Sequence, residues 1–221
     1  MAPEPFIKYD IGGAYHWKWY LVNHDGYRDF ANSLVGLVPT PGRLLDVGCG
    51  DGLISYLFFR SGFDVVGLDT SDTAVQLANM VSDMALQKRM GADIKAVQQT
   101  PFTEGDNDFL IERFAQGGLK YYNRSIYDFG EKDAFDYAIC SEVIEHLEHP
   151  ERLLEIVHGA IRKFAIITTP DGLKPDGTLD APGPYDYHVW SPETFAGLLN
   201  GYKFEFLDLR PGTICAKLFK S

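Results

Sequence analysis

The sequence predicts an α/β fold built on a doubly wound sheet, and three observations predict it. A short apolar strand, Arg43–Val47, runs straight into the glycine cluster Gly48, Gly50 and Gly52. A helix, a second strand and a second helix follow within about fifty residues, which is the opening of a parallel sheet. The chain closes on two strand-like runs around Pro211 and Gly212, the pattern of an antiparallel hairpin.

Each element carries its own signal. Residues 1–24 are aromatic-rich, with Tyr15, His16, Trp17, Trp19 and Tyr20 clustered, and form a candidate lid. A helical pattern over 25–38 stops before Pro39 and Pro41, which disfavour helix. Arg43–Val47 is the first strand, Leu53–Arg60 a helix and Asp64–Asp69 the second strand. Ser71 is the cap of a helix expected to reach about residue 90, with Asp72 favourably placed in its first turn. Residues 91–118 exceed the usual connection length and are read as an insertion. Further strands are expected at 119–122, 135–140 and 164–168, with a helix over 143–162 between the last two. A loop rich in Pro, Gly and Asp covers 170–189. Ser191-Pro192-Glu193 then starts a helix, with Ser at the cap and Pro at the first position. The hairpin strands are 203–209 and 213–220.

The chain has 221 residues, 45% of them hydrophobic and 23% charged, enough to bury the core of one α/β domain over 1–221. Its formal net charge of −11 contains no run of five like charges, so a polyanion such as nucleic acid or an anionic membrane is a poor partner. Cys49, Cys140 and Cys215 stand far apart inside apolar runs without a CxxC pair, as buried thiols of a reducing compartment do. The opening MAPEPFIKYD lacks the basic and apolar regions of a signal peptide, and no run of eighteen apolar residues could span a bilayer. A cytoplasmic protein is expected.

The loop Asp46-Val47-Gly48-Cys49-Gly50-Asp51-Gly52 lets the backbone turn sharply and brings a ligand close to the main chain. Asp69, ending the second strand, can accept two ribose hydroxyls. Nicotinamide and flavin sites share this arrangement. Here the spacing is GxGxG, however, with Leu53 where a third glycine would pack a helix under a pyrophosphate. A ligand without that phosphate but with an ammonium group, which an acid such as Asp46 can help to hold, suits it better. LLDVGCGDG, VVGLDTS, FDYAICSEVIEHLEHPERLL and IITTPDG, in that order over 43–172, resemble the motif series of class I S-adenosylmethionine-dependent methyltransferases. That resemblance implies a Rossmann-like doubly wound seven-stranded sheet with an antiparallel C-terminal hairpin, and S-adenosylmethionine as cofactor. It implies backbone contact from Gly48, Cys49 and Gly50 to the methionine moiety and ribose binding by Asp69 beside Thr70. Adenine recognition falls near Ser125 and Ile126, where Ser125 departs from the usual acid. Cys140 and Ser141 should line the methyl side, and Tyr15 belongs to a segment like those that fold over the cofactor in small-molecule members, where aromatic faces stabilise a sulfonium.

Glu142, Glu145 and His146 follow the fourth strand at i, i+3 and i+4, so a continuing helix would put them on one face. Three readings stay open. The acids can favour a helix N-terminus while His146 packs over the cofactor. His146 can act as general base or acceptor-orienting group, with Glu145 and His188 as further catalytic candidates. Glu142, Glu145, His146 and His188 can form a metal site, as their likeness to the small-RNA 3′-terminal 2′-O-methyltransferases suggests. The acidic surface fits RNA poorly. The expected reaction is therefore metal-free O-methylation of a small-molecule acceptor, a sugar, nucleotide sugar or other small metabolite. A metal-dependent RNA 2′-O-methyltransferase and a non-catalytic S-adenosylmethionine-binding protein are the alternatives.

Overall fold

The computed structural model describes residues 3–4, 6–86 and 116–220. All but the last three residues of the expected insertion at 91–118 lie outside them. The chain divides into two compact units, Lys8–Arg124 and Met1–Ile7 with Ser125–Ser221.

In Lys8–Arg124, β2 (Asp64–Asp69) pairs in parallel with β1 (Arg43–Val47) and β3 (Leu119–Asn123), Leu45 standing opposite Val66 and Gly67 opposite Tyr121. Leu44, Leu45, Val65 and Leu68 are buried, as expected of parallel strands covered on both faces. Its helices among the described residues are α1 (Lys8–Gly12), α2 (Tyr15–Val22), α3 (Tyr27–Gly36), α4 (Leu53–Arg60) and α5 (Asp72–Leu86). Leu53 through Phe59 of α4 are all buried, Ser55 with its hydroxyl bonded to Asp46. At the start of α5 the Ser71 Oγ accepts the Ala74 amide at 3.1 Å, the expected cap.

In the other unit β4 (Phe135–Ser141) pairs in parallel with β5 (Ile161–Pro170). Antiparallel β7 (Thr213–Phe219) lies between β5 and β6 (Lys203–Phe206). The seven strands make one mixed sheet in the order β3-β2-β1-β4-β5-β7-β6, the expected fold class with its antiparallel C-terminal pair. This unit also holds helices α6 (Pro150–Ala160) and α7 (Pro192–Leu198). Among the described residues no helix is long and apolar enough to cross a membrane.

One element departs from expectation. No helix runs over 143–162: residues Ile144–His146 make a 3-10 turn, Leu147 is extended, α6 begins only at Pro150 and β5 starts directly after Ala160. Two local constraints explain it. Leu147 takes φ −100°, ψ 131°, outside the right-handed helical region. Pro150 biases His149 away from the helical region, and His149 sits at φ −124°, ψ 70°.

Candidate active site

The glycine cluster of the Lys8–Arg124 unit and the carboxylate–histidine cluster of the other are built from different elements and are described separately.

At the end of β1 the amides of Gly48 and Cys49 both donate to the Leu68 carbonyl, at 2.7 and 3.0 Å, hooking the loop over the end of β2. Gly50 then takes φ 55°, and a methyl group added to it would collide with the Tyr9 hydroxyl. Only glycine serves there. The Gly50 amide donates to Asp69 Oδ2 at 2.9 Å and the Ser71 amide to Oδ1 at 2.8 Å. Each oxygen keeps a further lone pair, so Asp69 can still accept a pair of ribose hydroxyls. Burial pushes the Asp69 pKa up, against the pull of those backbone amides.

Asp46 is buried and accepts the Ser55 hydroxyl at 2.6 Å. Its burial raises its pKa to about 7, the Ser55 hydrogen bond working against the rise and the charge of Asp69 adding to it. The Cys49 thiol is buried and held well above its ordinary pKa by desolvation, which leaves the backbone of Cys49 as its group for a ligand. Thr70 is exposed and its carbonyl accepts the Asn123 side-chain amide at 3.0 Å. Tyr15 stacks on Tyr9, ring centroids 5.2 Å apart at 24°, and Tyr9 is the ring that reaches Gly50.

Sequence reasoning missed Asp51, which is only 1% exposed. Its Oδ2 accepts the His16 amide at 2.9 Å, its Oδ1 lies 3.3 Å from His16 Nδ1, and its carbonyl accepts the Trp17 indole at 2.8 Å. The only prior signal was an acid inside a glycine loop.

In the second unit, Ser125 accepts the Tyr127 amide at 3.2 Å and so caps the short turn Ile126–Asp128, with Ile126 buried. Cys140 is wholly buried in β4. Its neighbour Ser141 heads a relay. The Thr168 hydroxyl donates to Glu142 Oε1 at 3.1 Å, so the Ser141 hydroxyl, 3.1 Å from Thr168 Oγ1, must donate to Thr168.

Glu145 is 4% exposed and accepts the Thr169 hydroxyl at 3.1 Å. Burial, with the nearby charge of Glu142 adding to it, pushes its pKa up to about 8. The Glu145 carbonyl accepts the amides of Tyr187 and His188 at 2.9 and 3.1 Å, stitching the long loop to the 3-10 turn. That loop delivers Asp186, another residue sequence reasoning missed. His146 Nδ1 lies 2.8 Å from Asp186 Oδ1 and 3.2 Å from the Tyr185 carbonyl. Both partners are acceptors, so Nδ1 carries the hydrogen and Nε2 keeps its lone pair in the neutral ring. Nε2 stands 4.0 Å from Glu145 Oε1, and the Phe6 ring packs on His146 with centroids 5.2 Å apart.

The structure thus brings Glu145 and His146 together, through a 3-10 turn rather than a helix face. It gives His146 Asp186 as the acceptor of its Nδ1 hydrogen. His188 stacks on Trp190, centroids 5.1 Å apart, and its buried Nε2 has no hydrogen-bond partner among the described residues. Among the described residues no group of three His, Cys, Asp or Glu side chains is arranged to hold a metal ion. His149 is exposed beside Glu151, and His24 beside Asp25.

A family model described as a methyltransferase domain matches residues 22–208. Ubiquinone biosynthesis O-methyltransferase of Pasteurella multocida is 27% identical over 137 residues, covering 62% of this chain and 47% of that protein. The chain spans about half the length of that relative. Magnesium protoporphyrin IX methyltransferase of Synechocystis, solved with bound S-adenosylmethionine, superposes with a TM-score of 0.60 at 15% identity, covering 97% of this chain and 94% of the other. A methyltransferase of Thermotoga maritima, described as a possible histamine N-methyltransferase, gives 0.63 at 15% identity, over 97% and 99% of the two chains.

Proposed function

Because the chain belongs to the methyltransferase-domain family, we propose that it moves a methyl group from S-adenosylmethionine to a hydroxyl oxygen of a small-molecule acceptor, a sugar or other small metabolite. The observation that carries the oxygen acceptor is His146. Asp186 and the Tyr185 carbonyl hold its Nδ1 hydrogen and leave Nε2 as a base. An alkyl hydroxyl is a weak nucleophile, and a base within reach takes its proton as the methyl moves. The oxygen lone pair forms the new C–O bond, the methyl–sulfur bond breaks toward sulfur, and the hydroxyl proton goes to Nε2. S-adenosylhomocysteine and a methyl ether leave. The names of the matching O-methyltransferases support oxygen as the atom methylated.

Gly48, Cys49 and Gly50 present their backbone to the methionine moiety, and Asp46 lends its carboxyl to the ammonium group. Asp69 accepts the ribose hydroxyls, with Thr70 beside it. Ser125 and Ile126 flank the adenine, Cys140 and Ser141 border the methyl side, and Tyr15 belongs to the cover. Glu145, protonated at neutral pH on its pKa of about 8, orients the acceptor hydroxyl by donating to it. His188 offers a second contact to the acceptor through its unpartnered Nε2. Most of the acceleration comes from orientation of the two reactants.

The test is a turnover screen with sugars, nucleotide sugars, phenols and short RNAs, run with and without chelator. Methylation of a small hydroxyl compound that survives chelation supports the reading. Metal-dependent methylation of RNA alone replaces it, and cofactor binding without any product makes the chain a binding protein. With a verified acceptor, His146→Ala should lower turnover by about 10²–10⁴-fold and leave cofactor affinity unchanged. His149→Ala, at an exposed position, is the control. Near wild-type turnover of the His146 variant removes the base from the mechanism.

A further inference from the structure

Asp51 sits in the glycine loop, yet its carboxylate does nothing for the loop. The turn is closed by backbone, the Gly52 amide donating to the Cys49 carbonyl at 2.9 Å, and is braced by the Tyr121 hydroxyl on the Gly52 carbonyl at 3.1 Å. All three acceptor atoms of Asp51 are turned instead to the first turn of α2. Oδ2 takes the His16 amide, Oδ1 faces the His16 ring, and the main-chain oxygen takes the Trp17 indole. Helix α2 has Ala14 at its N-cap and no side-chain cap of its own. A carboxylate from a distant loop therefore satisfies an orphan amide and places negative charge where the helix dipole favours it. The same segment sets the Tyr9 hydroxyl against Gly50, with Tyr15 stacked behind it. A second tie joins it to the rest of the unit, the Thr73 hydroxyl donating to Asp10 at 2.5 Å.

We propose that Asp51 is a positioning residue for the cofactor: it latches α1 and α2 over the glycine loop and so retains adenosylmethionine without touching it. The inference rests on the reading that this loop holds the methionine moiety. Burying a carboxylate to 1% exposure is costly unless it is hydrogen-bonded, and among the described residues the partners of its oxygens are in α2. The latch acts by holding α1 and α2 against the loop, so its loss appears as weaker binding together with a looser N-terminal segment.

The experiment compares D51A, D51N, H16A and the D51A/H16A double variant. Adenosylmethionine affinity is read by calorimetry, and trypsin cleavage after the exposed Lys18 by mass spectrometry. D51A should bind roughly tenfold more weakly, the scale of stranding one or two hydrogen-bond partners, and be cut after Lys18 faster by a similar factor. D51N, which keeps an acceptor for the His16 amide, should recover most of both. The double variant should bind no worse than D51A, because the two residues act through one contact. If D51A fails to fold, D51N and H16A carry the same readouts with smaller effects. Unchanged cleavage in D51A and H16A overturns the latch, as does weakening that adds in the double variant. Wild-type protein that does not bind adenosylmethionine overturns the functional reading instead, and leaves the cleavage comparison to decide the latch.

Discussion

Two carboxylates of the glycine cluster make opposite demands on their surroundings. Asp69 holds two backbone amides while keeping lone pairs for a ligand. Asp69→Ala should weaken adenosylmethionine binding by about 1–3 kcal/mol, the cost of stranding partners of a charged acceptor, as calorimetry on folded protein can show. Unchanged affinity places the ribose elsewhere. Asp46 is a liability when charged. Its pKa rises from an ordinary 3.8 to about 7 in the folded chain, so between those values the folded state binds more protons than the unfolded one. Stability contributed at this site therefore falls as pH rises from about 4 to about 7, and levels off above. Asp46→Asn removes the titration while keeping an acceptor for Ser55. Urea melts should show the variant gaining on the wild type between pH 5 and pH 8, by more than about 1 kcal/mol. A pH-independent difference means that Asp46 is ionised throughout.

The elements divide by how local their causes are. Ser191 accepts the Thr194 amide at 3.2 Å while Thr194 Oγ1 accepts the Ser191 amide at 2.9 Å, a reciprocal cap ahead of Pro192. Ser191→Ala should cost about 1 kcal/mol in a urea melt and leave cofactor affinity alone. That cap, and the bounds of β1, α4 and β2, were legible because each is written in a few neighbouring residues. The break before α6 was half legible: Pro150 was visible, but the extended Leu147 that parts the 3-10 turn from α6 was not. Helices α1 and α2 escaped notice because α2 is apolar on every side, Trp17, Tyr20 and Leu21 buried and Trp19 and Val22 exposed, so no period marks it. The site follows the same division. Asp69 could be read from a strand end, whereas Asp186 on His146 and Asp51 on His16 are pairings made between segments 35 or more residues apart, which no local pattern encodes.

For the whole molecule, cofactor binding and folding are one equilibrium. Adenosylmethionine that binds only the folded chain should raise its unfolding temperature, by about 2.7 kcal/mol of added stability at a hundred times the dissociation constant. A thermal melt with adenosylmethionine, set beside one with a nicotinamide dinucleotide, checks both the ligand class and the fold that holds it. No shift with the former, or an equal shift with the latter, contradicts the cofactor assignment. The three cysteines add a consequence of their own. Cys49 lies in one compact unit and Cys140 and Cys215 in the other, all buried and outside any disulfide, the Cys215 thiol pushed up to about 12. A thiol so hidden cannot react with a labelling reagent until its surroundings open. Each unit therefore carries a clock: alkylation at Cys49 times the opening of the unit with the cofactor loop, alkylation at Cys140 and Cys215 that of the other. Saturating cofactor should slow the first clock.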